Sequence, residues 1–256
     1  MGLKICSLAS GSSGNCIYIG SDTTTLLIDV GISAKRIKEG LAALGANPSQ
    51  LNVLITHTHT DHVGHLKMVT KTFSPVIYTH FRTYSTVADM IPGYLKLKEF
   101  DGDFYVGDIT VSPFRVSHDV PCVGFSVLCG GKKISVVTDV GRLTEANLKH
   151  IEGSDVVLIE SNHDENMLLA NPRYAMSLKK RILSDNGHLS NKSCAAAAVE
   201  CVKCGAKQII LGHLSKENNT PDLAYETTQS ELLKAGLSAM LCVATQDKMS
   251  KIIEVC

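Results

Sequence analysis

The 256-residue sequence has no tryptophan, no apolar run approaching the roughly 20 residues that cross a bilayer, and no excess of charge of either sign. The missing apolar run excludes a membrane-spanning helix. The balance of 25 Lys+Arg against 25 Asp+Glu argues against a uniformly basic surface wrapped in nucleic acid and leaves a local basic groove open. Tyr and Phe number seven and six, and no RNP-like aromatic motif is present, so stacking along a long single strand has little support. Nor is there a low-complexity tract, a Pro/Gly/Ser-rich linker or a block of like charge at which to divide the chain, which predicts one domain over residues 1–256. Met1-Gly2-Leu3-Lys4-Ile5-Cys6 lacks the charged start of a secretory signal. The nine cysteines are odd in number and scattered, which fits reduced thiols rather than a disulfide framework and predicts a cytoplasmic location.

What is present is an α/β pattern. Strands are expected near 3–9, 15–19, 24–29, 53–56, 76–79, 108–117, 123–129, 132–138, 155–160, 207–212, 239–244 and 251–255. Between them helical spacing marks a first helix from Ser33 to Gly45 and others near 62–72, 80–90, 143–150, 173–184, 190–204 and 221–235. At this length the alternation suggests two face-to-face sheets with helices outside, a four-layer αββα sandwich, although periodicity does not separate this from one mixed sheet.

The chemistry gathers in Thr56-His57-Thr58-His59-Thr60-Asp61-His62, which follows the buried run Val53-Leu54-Ile55. In an extended segment His57 and His59 point to one side and can share an ion, while the turn into the next helix brings Asp61 and His62 round to a second. A polar loop that happens to be His-rich would not need four ligand-type side chains at this spacing. Val136-Val137-Thr138-Asp139 and Ile209-Ile210-Leu211-Gly212-His213 repeat the arrangement of a ligand-type residue after a hydrophobic β-run. His118 ends an alternating strand on its apolar face, where it is either a ligand or a core residue.

This order of a His-x-His-x-Asp-His segment, an isolated His, an Asp and a late His resembles the metallo-β-lactamase fold superfamily. The resemblance implies one metal on His57, His59, His118 and Asp139, and another on Asp61, His62, His213 and a bridging Asp139. Such a centre holds two divalent ions, and its imidazole-rich set suits Zn²⁺, Mn²⁺ or Fe²⁺ better than Mg²⁺. The implied reaction is hydrolysis by a hydroxide bridging the ions, with Asp61 orienting it or accepting its proton.

Gly187-His188-Leu189-Ser190 and Gly212-His213-Leu214-Ser215 resemble segments of the nucleases of this superfamily. By that comparison His188 is the acid for the leaving oxygen; its alternative is an N-terminal helix residue bonded to backbone. Ile159-Glu160-Ser161-Asn162-His163-Asp164, together with Ala9-Ser10-Gly11-Ser12-Ser13-Gly14-Asn15, resembles the YycJ/WalJ-like branch of bacterial cytoplasmic proteins viewed as 5′→3′ DNA exonucleases. Glu160 is then expected to orient His188, Asn162 and His163 to line the pocket, and Ser12, Ser13 and Asn15 to receive a phosphate, unless that turn is an ordinary hairpin. The expected substrate is DNA at its 5′ ends. The rivals are a small-molecule hydrolase of thioesters, lactones or cyclic phosphodiesters on the same fold, and a non-catalytic binding protein that keeps the metals as structure.

Overall fold

The computed structural model describes residues 2–93 and 96–255. Aliphatic and β-branched runs form its strands: β1 (Leu3–Ala9), β2 (Cys16–Gly20), β3 (Thr25–Ile28), β4 (Leu51–Ile55), β5 (Val76–His80), β6 (Leu97–Phe100), β7 (Phe104–Val106), β8 (Ile109–Val116), β9 (Cys122–Cys129), β10 (Lys132–Val137), β11 (Val156–Glu160), β12 (Gln208–Gly212), β13 (Met240–Val243) and β14 (Ile253–Val255). The chain forms two compact units. The first takes the described residues of Met1–Pro113, Val127–Lys132 and Gln246–Cys256, and the second takes Phe114–Ser126 and Lys133–Thr245.

In the first unit the strands run in the order β14-β1-β2-β3-β4-β5-β6. β14 to β3 are antiparallel neighbours, whereas β3 to β6 are parallel, so their C-terminal ends share one edge. Helix α1 (Ala34–Ala43) starts where the Ser33 hydroxyl accepts from Arg36 N, and it buries Ile37 and Leu41 among Leu8, Leu27 and Val53. The helix expected over 62–72 is two pieces, α2 (Thr60–Val63) and α3 (Leu66–Phe73), because the chain turns at Gly64-His65. A 3₁₀ turn over Phe81–Thr83 leads into α4 (Tyr84–Met90). β6 and β7 have no counterpart among the expected strands.

The other sheet runs in the order β13-β12-β11-β10-β9-β8-β7, with β10 to β13 parallel. Parallel strands are covered on both faces, which explains why Val156–Ile159 and Ile209–Leu211 are apolar without alternation and fully or nearly fully buried. The helices are α5 (Glu145–Ile151), α6 (Glu165–Ala170), α7 (Met176–Ile182), α8 (Asn191–Lys203) and α9 (Pro221–Lys234). Cys194, Ala197 and Ala198 of α8 present small side chains to Ile159 and Leu211, allowing close helix–sheet packing. α6, which follows the Asp164 cap, has no counterpart in the sequence pattern. Every described cysteine is a free thiol, and Cys201 and Cys204 of the C-x-x-C pair are split between interior and surface. Cys256 lies outside the described residues.

Candidate metal centre

In the first unit, the parallel register Ile28↔Leu54 sets Asp29, just past β3, beside the end of β4. Asp29 sits in the left-handed region (φ 61°), and its buried carboxylate accepts from Thr56 N at 2.9 Å, Thr56 Oγ1 at 2.7 Å and His62 Nδ1 at 2.7 Å. With its hydroxyl proton donated to Asp29, Thr56 Oγ1 accepts from His57 Nδ1 at 3.0 Å. The rings of His57, His59 and His62 cluster, with centroids 4.7 Å apart for the first two and 4.1 Å for His57 and His62. Asp61 Oδ2 lies 3.3 Å from His62 Nε2, and Asn15 Nδ2 donates to both, at 3.2 and 3.0 Å. Asn15 is locked in turn: its N–H donates to the Asp61 carbonyl and its carbonyl accepts from Gly31 N, each at 2.8 Å. At Gly31 a Cβ would stand 1.7 Å from the Asp61 carbonyl oxygen, so only glycine admits this approach. Ser12 and Ser13 lie exposed on the preceding turn, where Ser13 N donates to Gln246 Oε1 at 3.4 Å.

In the second unit, Asp139 follows β10 and His213 follows β12, both at positive φ (56° and 55°) and both buried. Glu160, the last residue of β11, lies between them with its side chain fully buried. One of its oxygens accepts from His213 Nδ1 at 2.6 Å and from His188 Nδ1 at 2.8 Å; the other accepts from Val140 N at 2.9 Å and Leu189 N at 3.3 Å. Burial alone would raise the Glu160 pKa, but His188 and His213 outweigh it and hold the carboxyl below the usual carboxylate range. Burial likewise works to lower the His188 pKa, and Glu160 overrides it to leave a net rise. Ligating atoms of Asp139, Glu160, His188 and His213 all lie within 4.8 Å of one another. His118 Nε2 stands 4.0 Å from Asp139 Oδ1, with Nδ1 3.2 Å from the Gly187 carbonyl. Its pKa is lowered, chiefly by burial.

The donor chemistry fits divalent cations. Carboxylate and carbonyl oxygens only accept, so His62, His118 and His213 carry their proton on Nδ1 and present the Nε2 lone pair. At Asp61 Oδ2 and His62 Nε2 two such acceptors face each other, and the Asn15 amide lies against both, in the manner of a cation. His213 Nε2 and Asp139 Oδ1, 3.5 Å apart, are a second such pair of acceptors.

Glu160 is where the sequence pairs it with His188, but it anchors His213 as well. Asn162 is buried and donates through Nδ2 to the His213 carbonyl at 3.0 Å. His163 is buried too, neither ring nitrogen has a hydrogen-bond partner among the described residues, and burial pushes its pKa down. The residue that pattern reading passed over is Asp29. Its signal was available: Leu26-Leu27-Ile28-Asp29 is the same run of aliphatics ending on a carboxylate that marks Asp139 and Glu160.

Residues 24–214 match the family described as "Beta-lactamase superfamily domain". The exodeoxyribonuclease WalJ of Streptococcus pneumoniae serotype 2 is 36% identical over 245 residues, 93% of this chain and 91% of that one. The exodeoxyribonuclease YycJ of Bacillus anthracis is 34% identical over 242 residues, 92% and 91% of the two chains. Among solved structures, the metallo-β-lactamase fold protein YhfI from Bacillus subtilis superposes with a TM-score of 0.71 at 16% identity, covering 99% of this chain and 100% of that one. With its strand-end histidines and carboxylates set for divalent metal and its α/β class as expected, the chain has the metallo-β-lactamase fold and belongs to the β-lactamase superfamily, in the branch of WalJ and YycJ.

Proposed function

We propose that this chain is a binuclear metal-dependent phosphodiesterase, one hydrolase domain over its whole length, that removes nucleotides from the 5′ ends of DNA in the cytoplasm. The observation that carries the reading is the set of imidazoles anchored through Nδ1, by Asp29 through His62 and by Glu160 through His188 and His213. Its substrate comes from the relatives named exodeoxyribonuclease, alike across nine-tenths of both chains. His57, His59, His118 and Asp139 would hold one ion, and Asp61, His62, Asp139 and His213 the other, as Zn²⁺, Mn²⁺ or Fe²⁺. Ions held there supply Lewis acidity for hydrolysis, acidifying a water nucleophile and neutralising charge at the phosphate.

The chain's own groups do the rest. Asp61, fixed by the Asn15 amide, orients the water and accepts its proton. His188 donates Nδ1–H to Glu160, which turns Nε2 outward to hold a proton for the departing oxygen; its side chain is 22% exposed against 2% for His213. Ser12 and Ser13, exposed on their turn, and Asn162 and His163, beside His213 and Glu160, take the substrate side. The test is digestion of end-labelled 5′-phosphorylated DNA by metal-loaded protein, with chelator, Asp61→Ala and His188→Ala arms. Chelator-sensitive release of mononucleotides from the 5′ end is expected, abolished in Asp61→Ala and slowed about 10²–10⁴-fold in His188→Ala with metal retained. Intact DNA from protein that hydrolyses a small ester would move the assignment to a small-molecule hydrolase.

A further inference from the structure

The first unit gathers aromatic rings that its sequence keeps apart, at the strand end next to the histidine motif. The register Ile55↔Thr79 sets His80 level with Thr56, so Phe81 leaves the end of β5 as His57 leaves the end of the neighbouring β4. Behind Phe81 the rings are supported from within: His80 contacts Phe81 at a centroid distance of 4.5 Å and Phe100 at 5.9 Å, and Phe100 stacks on Phe104 at 4.9 Å. Phe100 and His80 are buried, whereas Phe81 is 42% exposed and Tyr84 36%. Residues three apart eclipse on a 3₁₀ turn, so the turn over Phe81–Thr83 presents Phe81 and Tyr84 on one side. The Arg82 guanidinium lies over the Phe81 ring, 5.7 Å from its centroid.

We infer that Phe81 and Tyr84, with Arg82, form a stacking platform for the one or two bases of a single DNA strand adjoining the metal centre. The inference rests on the nuclease reading above and names how its substrate is held. Phe81, backed by His80, and Tyr84 each leave ring surface exposed to take a base of any kind, and the Arg82 guanidinium, itself exposed and lying over the Phe81 ring, adds positive charge for the flanking phosphate. A platform of two rings suits removal of terminal nucleotides, where few bases need be held at once. Apolar exposure alone would serve any hydrophobic partner; the cation over the ring and the position one strand from His57 favour a nucleic acid end.

Two measurements on the metal-loaded protein test it: anisotropy of a labelled, 5′-phosphorylated phosphorothioate oligothymidylate, and hydrolysis of bis(p-nitrophenyl) phosphate, too small to span the two sites. Phe81→Leu keeps the apolar contact with His80 and removes the π-face. It is expected to weaken oligonucleotide affinity about 5- to 100-fold, as is Tyr84→Leu, while Phe81→Tyr restores it and small-diester turnover stays within about twofold. Oligonucleotide affinity unchanged in Phe81→Leu overturns the platform, as does a wild-type protein that binds no oligonucleotide. Oligonucleotide binding lost in Phe81→Leu, but with natural DNA left uncleaved by the wild type, would sustain the platform and sink the nuclease reading instead.

Discussion

Asp29 holds three donors with two oxygens, and each consequence passes to a neighbour. It fixes the tautomer of His62 directly and that of His57 through the Thr56 hydroxyl. An amide in its place accepts through one oxygen only and turns an N–H toward donors. Asp29→Asn is therefore expected to lower affinity for the divalent ion about 10- to 100-fold with the fold retained, read by chelator competition alongside a thermal melt. Metal affinity equal to wild type would remove Asp29 from the centre. Three of the four non-glycine residues with positive φ among the described residues are Asp29, Asp139 and His213. Such conformations cost on the order of 1–3 kcal/mol each and persist where surroundings enforce them, which is the mark of a built site. The left-handed backbone has no signature in a lone Asp or His. It arises because the chain leaves a parallel strand and must turn its side chain across the sheet's edge.

At the scale of elements, the β7–β8 hairpin is tied to the β2–β3 turn by one carboxylate. Asp108 accepts from Ser21 Oγ at 2.7 Å and Thr24 Oγ1 at 2.6 Å. Partial burial works to raise its pKa, but these hydroxyls and Thr23 prevail and hold it at about 2. A folded pKa below the unfolded value of about 3.9 means stabilisation that is complete above that value and lost as pH falls through about 2. Asp108→Asn should thus cost no more than about 1 kcal/mol at pH 7, given the solvent screening of an exposed group, and markedly less near pH 2. Urea titrations at both pH values measure the difference, and a constant loss would show that packing rather than charge is involved. Most elements were legible because their cues are local. The start of α1 at its Ser33 cap and of α9 at Pro221 stand where the pattern puts them, and β9 and β10, joined by the Gly130-Gly131 turn (φ 57° and 76°), match the strands expected near 123–129 and 132–138. β6 and β7 were not, since Leu97–Phe100 and Phe104–Val106 are short and half-exposed, and only pairing with β5 and β8 makes them strands.

For the whole molecule, zero formal net charge sets how a polyanion can be met. With no excess of positive charge, the proposed binding of DNA is expected to draw on few phosphates, and about three would give a log–log salt dependence of affinity near −2 for single strands. Oligonucleotide titrations from low to high salt check this; a slope of −5 or steeper would reveal a basic groove. No described helix is long and apolar enough to cross a membrane, in keeping with the absence of any such run in the chain. The metal-ligand residue types, the hydrophobic strands that end on them and the α/β class follow from composition and from spacing over a few residues, because burial and strand periodicity act at short range. Asp29 under His62, Glu160 shared by two histidines, and the aromatic rings gathered around His80 follow from strand register instead. They join residues tens of positions apart through packing and hydrogen bonds that exist only once the sheets have formed, so no local pattern encodes them.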